Sequence, residues 1–131
     1  MINGKTEKVS EGVTKKVLQP GKDFPCVSKG SIITAAVTGK VTDKKLAMLY
    51  STRRHFWSTK DYGGRPFTFK AGVGQVVQGW DEGVMTMCLY ERARINISSE
   101  KGYGEEGYPN WKIPPNAGLT FETTILDIKE P

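Results

Sequence analysis

The side chains that could carry acid–base, nucleophilic or metal chemistry are few in this sequence and stand far apart. It has one histidine, His55, and two cysteines, Cys26 and Cys88. No His-x-x-x-His or Cys-x-x-Cys spacing occurs, so neither a metal nor another cofactor is expected. A lone histidine in a polar loop is usually solvated, and a chain of 131 residues can bury a core without a cross-link. With only one possible pairing, a disulfide between the two cysteines is conceivable but not required. We therefore expect two free thiols and no catalytic role for His55.

A glycine-rich stretch has some features of a nucleotide-binding loop. Gly72 and Gly74 begin the pattern G-x-G-x-x-G, but Val77 occupies the position of the third glycine and no Gly-Lys-Ser/Thr follows. These glycines are better explained by a tight turn between a strand and a short helix. Phosphate binding is not expected.

Aromatic and apolar side chains are the remaining candidates for a binding site. They are Phe56, Trp57, Phe67, Phe69, Val76, Val77, Trp80, Tyr103, Tyr108, Trp111, Ile113 and Phe121. A domain of this size must bury several large side chains, and we expect Phe69 and Val84 among them. Tyr103, Tyr108 and Trp111 stand among glycines and prolines typical of irregular loops, where a core is hard to build. These loop aromatics indicate the rim of a binding site.

The elements that must position these side chains are short strands and one helix. Fifteen glycines and seven prolines divide the chain into short segments, a pattern typical of β-rich domains. A helical period in residues 76–87 places Val77, Trp80, Val84 and Met87 on one stripe. Enrichment in β-branched and aromatic residues predicts strands over residues 13–18, 32–38, 67–70, 93–98 and 119–128. The sequence thus predicts an α+β fold in which an antiparallel sheet packs against one short helix.

The chain is expected to form one domain. Residues 1–12 are polar and without periodicity, which predicts a flexible N-terminal arm. Residues 13–131 are assigned to a single domain with an extended loop at about 40–55. The start of the chain has no apolar run followed by a cleavage site, and no segment approaches the length of a membrane span. These features predict a cytoplasmic protein that does not enter a membrane.

The net charge of the chain is +5, and its densest basic group lies between Lys40 and Arg54. A solvated loop explains this group better than nucleic-acid binding, because no long basic cluster or known nucleic-acid motif accompanies it. Nucleic-acid association through this loop is kept as an alternative, and a steep loss of binding with added salt would support it. No coiled-coil heptad appears, so a monomer is expected.

Four motifs resemble, in order and spacing, those of the FKBP-type peptidyl-prolyl cis-trans isomerases, also called immunophilins. The motifs are Phe67-Thr-Phe, Gly74-Gln-Val-Val-Gln-Gly-Trp-Asp-Glu-Gly-Val, Gly102-Tyr-Gly-Glu-Glu-Gly-Tyr-Pro, and Ile113-Pro-Pro-Asn-Ala with Leu119 and Phe121. The resemblance covers about residues 13–128. The run from Phe56 to Asp61 is similar to that of small plant-type members of the family.

The resemblance implies a strongly curved antiparallel sheet wrapped around a short helix, with an apolar pocket between them and no metal or cofactor. Its catalytic residues would be Trp80, as the floor, with Tyr103, Phe67 and Phe121. The hydroxyl of Tyr103 and the backbone N–H of Val77 would meet carbonyl groups of the ligand. Contacts with a substrate or with a macrolide such as tacrolimus or rapamycin would come from Phe56, Trp57, Gln75, Val76, Val77, Tyr108, Trp111, Ile113 and Val37.

Two positions depart from the family's usual pattern. Trp57 stands where the family usually has Asp, and Val37 where it commonly has Tyr, so two polar pocket groups are missing. The stretch between Gly39 and Phe56 is also longer than usual. Because a hydrogen bond to a charged group contributes about 1.5 to 3 kcal/mol, we expect macrolide affinity to fall while isomerase activity survives.

The activity implied by the resemblance is faster rotation about X-Pro bonds in peptides and proteins. This rotation breaks amide resonance and faces a barrier of ~18 to 20 kcal/mol. The twisted amide is less dipolar than the planar one, so an apolar, aromatic-lined pocket should favour the transition state. The alternative is a catalytically weak module that binds proline-containing segments of partner proteins. Binding of a proline peptide without acceleration would favour that alternative.

Overall fold

The computed structural model of the chain describes residues 5–49 and 55–131. Within these residues no helix is long and apolar enough to cross a membrane. The strands are β1 (Thr6–Ser10), β2 (Val13–Gln19), β3 (Ile32–Val41), β4 (Trp57–Ser58), β5 (Phe67–Lys70), β6 (Arg92–Ile97) and β7 (Leu119–Lys129). The α-helices are α1 (Lys44–Leu49) and α2 (Gln78–Val84), and short 3-10 turns cover Thr59–Tyr62, Ser99–Lys101 and Pro109–Trp111.

Alternating side chains build the sheet. In β2, β3 and β6 every second residue is buried, so one face of each strand lies on the core. All the strand pairs are antiparallel, in the order β1-β2-β6-β7-β3-β4, and β5 also pairs with β3. The longest ladder joins β3 to β7, from Ile32 opposite Lys129 to Val41 opposite Leu119. Each strand predicted from the sequence is present, within a few residues of its predicted bounds.

Helix α2 lies close against β6 because two of its residues have no side chain. A Cβ at Gly79 would lie 2.5 Å from the side chain of Ile97, and a Cβ at Gly83 would lie 2.7 Å from Ile95. This close approach lets Trp80 enter the core, where it is 4% exposed. The helix is shorter than the predicted 76–87: its N-cap is residue 77 and its C-cap is residue 85.

The prediction of a flexible arm over residues 1–12 is wrong for residues 6–10, which form β1. This strand pairs with β2, with Thr6 opposite Lys16, and Val9 packs against the core. Its sequence is mostly polar because it is an edge strand with much of its surface in water. A strand of that kind carries little hydrophobic pattern.

The extended loop predicted at about 40–55 is also partly wrong. Strand β3 continues to Val41, and helix α1 follows after Asp43, whose carboxylate accepts hydrogen bonds from the backbone N–H groups of Lys45 at 2.9 Å and Leu46 at 3.3 Å. This side chain caps the helix in the usual way for an aspartate. Residues 50–54 lie outside the described part of the chain.

The expectation of two free thiols is wrong, because Cys26 and Cys88 form a disulfide. The two cysteines lie opposite each other in a short antiparallel bridge. Hydrogen bonds on both sides hold that bridge: Val27 N–H donates to Met87 O at 2.9 Å and Leu89 N–H to the carbonyl of residue 25 at 2.9 Å. Sequence distance alone gave no sign of this pairing, since 62 positions separate the cysteines.

Candidate active site

A cavity of about 390 Å³ opens between the N-terminal end of α2 and the sheet. Strands β4, β5 and β7 supply part of its wall, and the segment that leads into α2 supplies another part. The described residues that line it are Phe56, Trp57, Phe67, Gly74, Gln75, Val76, Val77, Trp80, Tyr103, Trp111 and Phe121. None of these side chains carries a formal charge, so the cavity is aromatic and apolar with few polar groups.

The floor of the cavity is a stack of rings around Trp80. Its indole lies nearly parallel to Phe121, with ring centroids 5.1 Å apart and an angle of 16°. Phe67 is stacked on the indole at 6.0 Å, and Phe69 lies 5.0 Å away at 36°. Rings packed in this way have little freedom to move. The floor is therefore a rigid aromatic surface.

A buried hydrogen bond fixes the direction of the Trp80 indole. Its Nε1–H donates to Oγ1 of Thr123 at 2.9 Å, and Thr123 is fully buried. Thr123 was not among the residues predicted from the sequence. The alternation of β7 was the signal that could have found it, because Phe121 and Thr123 are two residues apart and point to the same face.

The segment that leads into α2 is held by Asp81. Its carboxylate accepts hydrogen bonds from the backbone N–H of Gly72 at 2.7 Å and of Gly74 at 3.1 Å. Both glycines have positive φ, +77° and +80°, a conformation that side-chain-bearing residues rarely adopt. This turn places Val76 and Val77 at the cavity wall. The sequence analysis did not predict this role of the Asp81 carboxylate.

Aromatic contacts tie the rim to the floor. Phe56 meets the edge of Phe121 at 5.8 Å and stacks on Trp111 at 5.8 Å. Trp57 packs edge-on against Phe67 at 5.2 Å. The wall of the cavity therefore has an indole ring at position 57, and no carboxylate is present at that position.

Tyr103 brings a phenol hydroxyl to the described lining of the cavity. Its ring stacks on Tyr108 at 5.1 Å. Burial raises the pKa of Tyr103 above its ordinary value of 10.0, and the neighbouring phenol of Tyr108 raises it further. The hydroxyl of Tyr103 is therefore protonated at neutral pH and can donate a hydrogen bond.

Three residues predicted for the site do not line the cavity. Val37 is buried in the core, and its backbone N–H donates to Thr59 Oγ1 at 3.2 Å. Ile113 is also buried and forms a backbone bridge with Tyr108. Tyr108 lies behind Tyr103 and meets Trp111 edge-on at 5.2 Å. Tyr108 thus supports the rings of Tyr103 and Trp111 from outside the cavity, and Ile113 holds the backbone of Tyr108.

The structure also locates His55 and the side chains that could act as metal ligands. His55 lies outside the cavity, with Nε2 3.1 Å from both carboxylate oxygens of Asp61. Among residues 5–49 and 55–131, no group of three or more His, Cys, Asp or Glu side chains could hold a metal ion.

An antiparallel sheet packed against a short helix, with an aromatic cavity at the N-terminal end of that helix, places the chain among the α+β domains. The family model for FKBP-type peptidyl-prolyl cis-trans isomerase matches residues 25–126. The chain belongs to this family, as the sequence motifs predicted, and it is a peptidyl-prolyl cis-trans isomerase.

Relatives in plants match nearly the whole chain. It is 42% identical over 118 residues to peptidyl-prolyl cis-trans isomerase FKBP12 of Arabidopsis thaliana, covering 90% of this chain and 99% of that protein. It is 44% identical over 115 residues to the FKBP12 isomerase of Vicia faba, covering 88% and 96%. The solved N-terminal domain of FKBP42 from Arabidopsis thaliana superposes with a TM-score of 0.82 at 23% identity, over 99% of this chain and 96% of that one. This last likeness confirms the predicted α+β fold.

Proposed function

We propose that the aromatic cavity is the place where this enzyme isomerises X-Pro bonds of peptides and proteins. The observation that supports this proposal is the uncharged, ring-lined cavity built on the stacked floor of Trp80, Phe67 and Phe121. A proline ring is compact and apolar, and an aromatic floor offers it a large contact surface.

The proposed mechanism is preferential stabilisation of the twisted amide. Rotation removes the resonance that makes the planar amide strongly dipolar. Excluding water therefore raises the free energy of the twisted transition state less than that of the planar ground state. Only this difference between the two states accelerates the reaction. Each tenfold acceleration requires about 1.4 kcal/mol of such preference.

Polar contacts would orient the substrate in the cavity. The protonated hydroxyl of Tyr103 is suited to donate a hydrogen bond to a substrate carbonyl, and the backbone N–H of Val77 is the second proposed donor. Gln75 lines the same cavity, but its Oε1 already accepts a hydrogen bond from the backbone N–H of Lys70 at 2.8 Å. Its proposed contact with a ligand would therefore come from its amide NH₂ or its aliphatic stem.

The same cavity is proposed to take tacrolimus or rapamycin with reduced affinity. Trp57 fills the wall where the family usually supplies an Asp, and the core position of Val37 offers no hydroxyl. Ligand atoms that would meet those groups lose their partners, whereas the proposed isomerisation uses neither.

The test is the cis-to-trans relaxation of a Leu-Pro peptide with and without the purified protein. We expect acceleration by the unaltered chain, and a loss of at least about tenfold in Trp80→Ala and Phe121→Ala. Tyr90→Ala is the control, because this exposed ring lies outside the cavity. Full activity in Trp80→Ala would refute the proposed site, and binding of the peptide without acceleration would favour a proline-binding module.

Two further properties expected from the sequence are proposed here. The protein is expected to act in the cytoplasm and to be a monomer. Cell fractionation with an antibody to the native protein tests the first property, and light scattering after gel filtration tests the second. Recovery in a membrane or secreted fraction would contradict the first, and a mass of twice 14.5 kDa would contradict the second.

A further inference from the structure

A second and larger depression, which we call the basic groove, lies on the other side of β4 from the aromatic cavity. Trp57 lines the aromatic cavity and Ser58 lines the groove, because successive residues of a strand point to opposite faces. The groove has a volume of about 800 Å³ and runs between the end of β3 and helix α1. The enzyme reaction proposed above does not use it.

Three lysines give the groove its charge. Lys40, Lys44 and Lys60 line it, and no aspartate or glutamate does so among the residues that the structure describes. None of the three ammonium groups forms an ion pair within residues 5–49 and 55–131. The carboxylates of two flanking residues are already occupied: Asp43 caps α1, and Asp61 faces His55. Among the residues that the structure describes, the positive charge of the groove therefore has no paired carboxylate.

Apolar surface lies beside these cations. Met48 lines the groove and its side chain is 78% exposed, and half-buried Ala47 lies one residue earlier in α1. The hydroxyls on the groove floor are already paired, since Thr38 and Ser58 lie 2.8 Å apart. Recognition would thus depend on the lysines and on Met48, a flexible side chain that adapts to varied apolar partners.

We infer that the basic groove docks an acidic segment of a partner protein, in which carboxylates flank one long apolar side chain. The carboxylates would meet Lys40, Lys44 and Lys60, and the apolar side chain would lie on Ala47 and Met48. A single-stranded nucleic acid fits this groove less well, because such sites combine cations with aromatic rings for base stacking. The described lining of the groove contains no Phe, Tyr or Trp.

The experiment uses a proline-free, fluorescein-labelled peptide with two glutamates on each side of a leucine, and measures its binding by anisotropy at low and high salt. We expect the triple variant Lys40→Gln, Lys44→Gln, Lys60→Gln to weaken binding by about tenfold, the sum of three modest surface ion pairs. Met48→Ser should weaken binding by a few fold. The matched control is Lys5→Gln, Lys16→Gln, Lys129→Gln, which removes the same charge elsewhere and should leave binding within about twofold.

The turnover of a short Leu-Pro peptide separates this inference from the proposed function. We expect that a saturating amount of the acidic peptide leaves this turnover unchanged, and that both triple variants retain it. Inhibition of turnover by the acidic peptide would overturn the inference by placing that peptide in the aromatic cavity. Equal weakening by the two triple variants, no effect of Met48→Ser, no binding at low salt, or tighter binding of an equally charged single-stranded oligonucleotide would also overturn it.

Discussion

Trp57 lines the aromatic cavity at the position where the resemblance to the family led us to expect an Asp. Its indole packs edge-on against Phe67 and so continues the ring-lined wall. A carboxylate at the same position would introduce a charge into an otherwise uncharged lining. The ring of Trp57 therefore makes the cavity more uniformly apolar, which suits the proposed mechanism, and it is expected to weaken the binding of ligands that need a hydrogen-bond acceptor there.

Replacing this ring by a carboxylate is expected to strengthen macrolide binding. Trp57→Asp should raise the affinity for tacrolimus by about tenfold to a hundredfold, because a hydrogen bond to a charged group contributes about 1.5 to 3 kcal/mol. Inhibition of Leu-Pro isomerisation by increasing tacrolimus measures the effect. Trp57→Ala is the control, since it opens the wall without adding an acceptor. An equal gain in Trp57→Ala would show that the bulk of the indole limits affinity.

Thr123 accepts the hydrogen bond of the Trp80 indole, so in the proposed mechanism it is a positioning residue. Thr123→Val keeps the side-chain shape but leaves the indole N–H buried without its acceptor, a loss of about 1 to 3 kcal/mol. We expect kcat/KM for a Leu-Pro peptide to fall several fold in this variant and to be largely retained in Thr123→Ser. Hydrogen exchange of the Trp80 Nε1–H, followed by NMR, should speed up in the valine variant alone. Unchanged exchange there would contradict the role assigned to Thr123.

The strands and helices with a strong hydrophobic periodicity were predictable from the sequence, and those without one were not. The strands β2, β3 and β6 alternate regularly, and α2 carries a helical period, so both were found from the sequence. Strand β1 is a polar edge, β4 has two residues, and α1 has six. These elements exist because of their neighbours in space, which a local pattern does not contain.

Even inside a correctly predicted strand, the burial and the partners of single polar residues could not be predicted from the sequence pattern. Lys15 lies on the core face of β2 and is only 2% exposed. Its ammonium group pairs with Glu91 at 2.8 Å and donates to the carbonyl of Thr86 at 3.0 Å. The same limit applied to Thr123, whose partner Trp80 is 43 residues away along the chain. The apolar residues of the site were recognisable by motif, whereas the polar groups that hold them were not.

Glu82 joins three elements in one polar cluster. Its carboxylate accepts from Lys101 Nζ at 2.7 Å, from Ser10 Oγ at 2.5 Å and from Gln78 Nε2 at 2.9 Å. The cluster connects β1, α2 and the turn Ser99–Lys101, which leads directly into the loop that carries Tyr103. It therefore fixes one side of the site to the sheet.

This cluster predicts a specific loss of stability in acid. The hydrogen bond from Lys101, with that from Ser10 next, lowers the pKa of Glu82 from 4.5 to about 2. A carboxylate whose folded pKa is depressed stabilises the fold above its unfolded pKa, and this contribution disappears as the pH falls through the folded value. The free energy of unfolding in urea should thus fall more steeply between pH 4.5 and 2 for the unaltered chain than for Glu82→Gln. Glu100→Gln, an exposed neighbour, should follow the unaltered chain; parallel curves for all three proteins would contradict the prediction.

At the scale of the whole molecule, the sheet separates two surfaces of different character. Strand β4 has the uncharged aromatic cavity on one side and the basic groove on the other. The net charge of +5 adds a general attraction for acidic partners. An enzyme built in this way could hold a partner by one surface while it acts on an X-Pro bond with the other, and the avidity of two linked contacts would exceed that of either alone.

The disulfide is the only covalent link between distant parts of the described chain, and it lies apart from both surfaces. It joins positions separated by 62 residues, and neither Cys26 nor Cys88 lines the cavity or the groove. Closing a loop of this length restricts the unfolded chain, so Cys26→Ser with Cys88→Ser should lower the free energy of unfolding by about 2 to 4 kcal/mol. Because the cavity does not contact the bridge, kcat/KM for a Leu-Pro peptide at 25 °C should stay within about twofold. Urea titrations with and without dithiothreitol provide the control, since reducing the unaltered protein should reproduce the variant; a reduced protein that remains folded but loses activity would show that the bridge shapes the cavity at a distance.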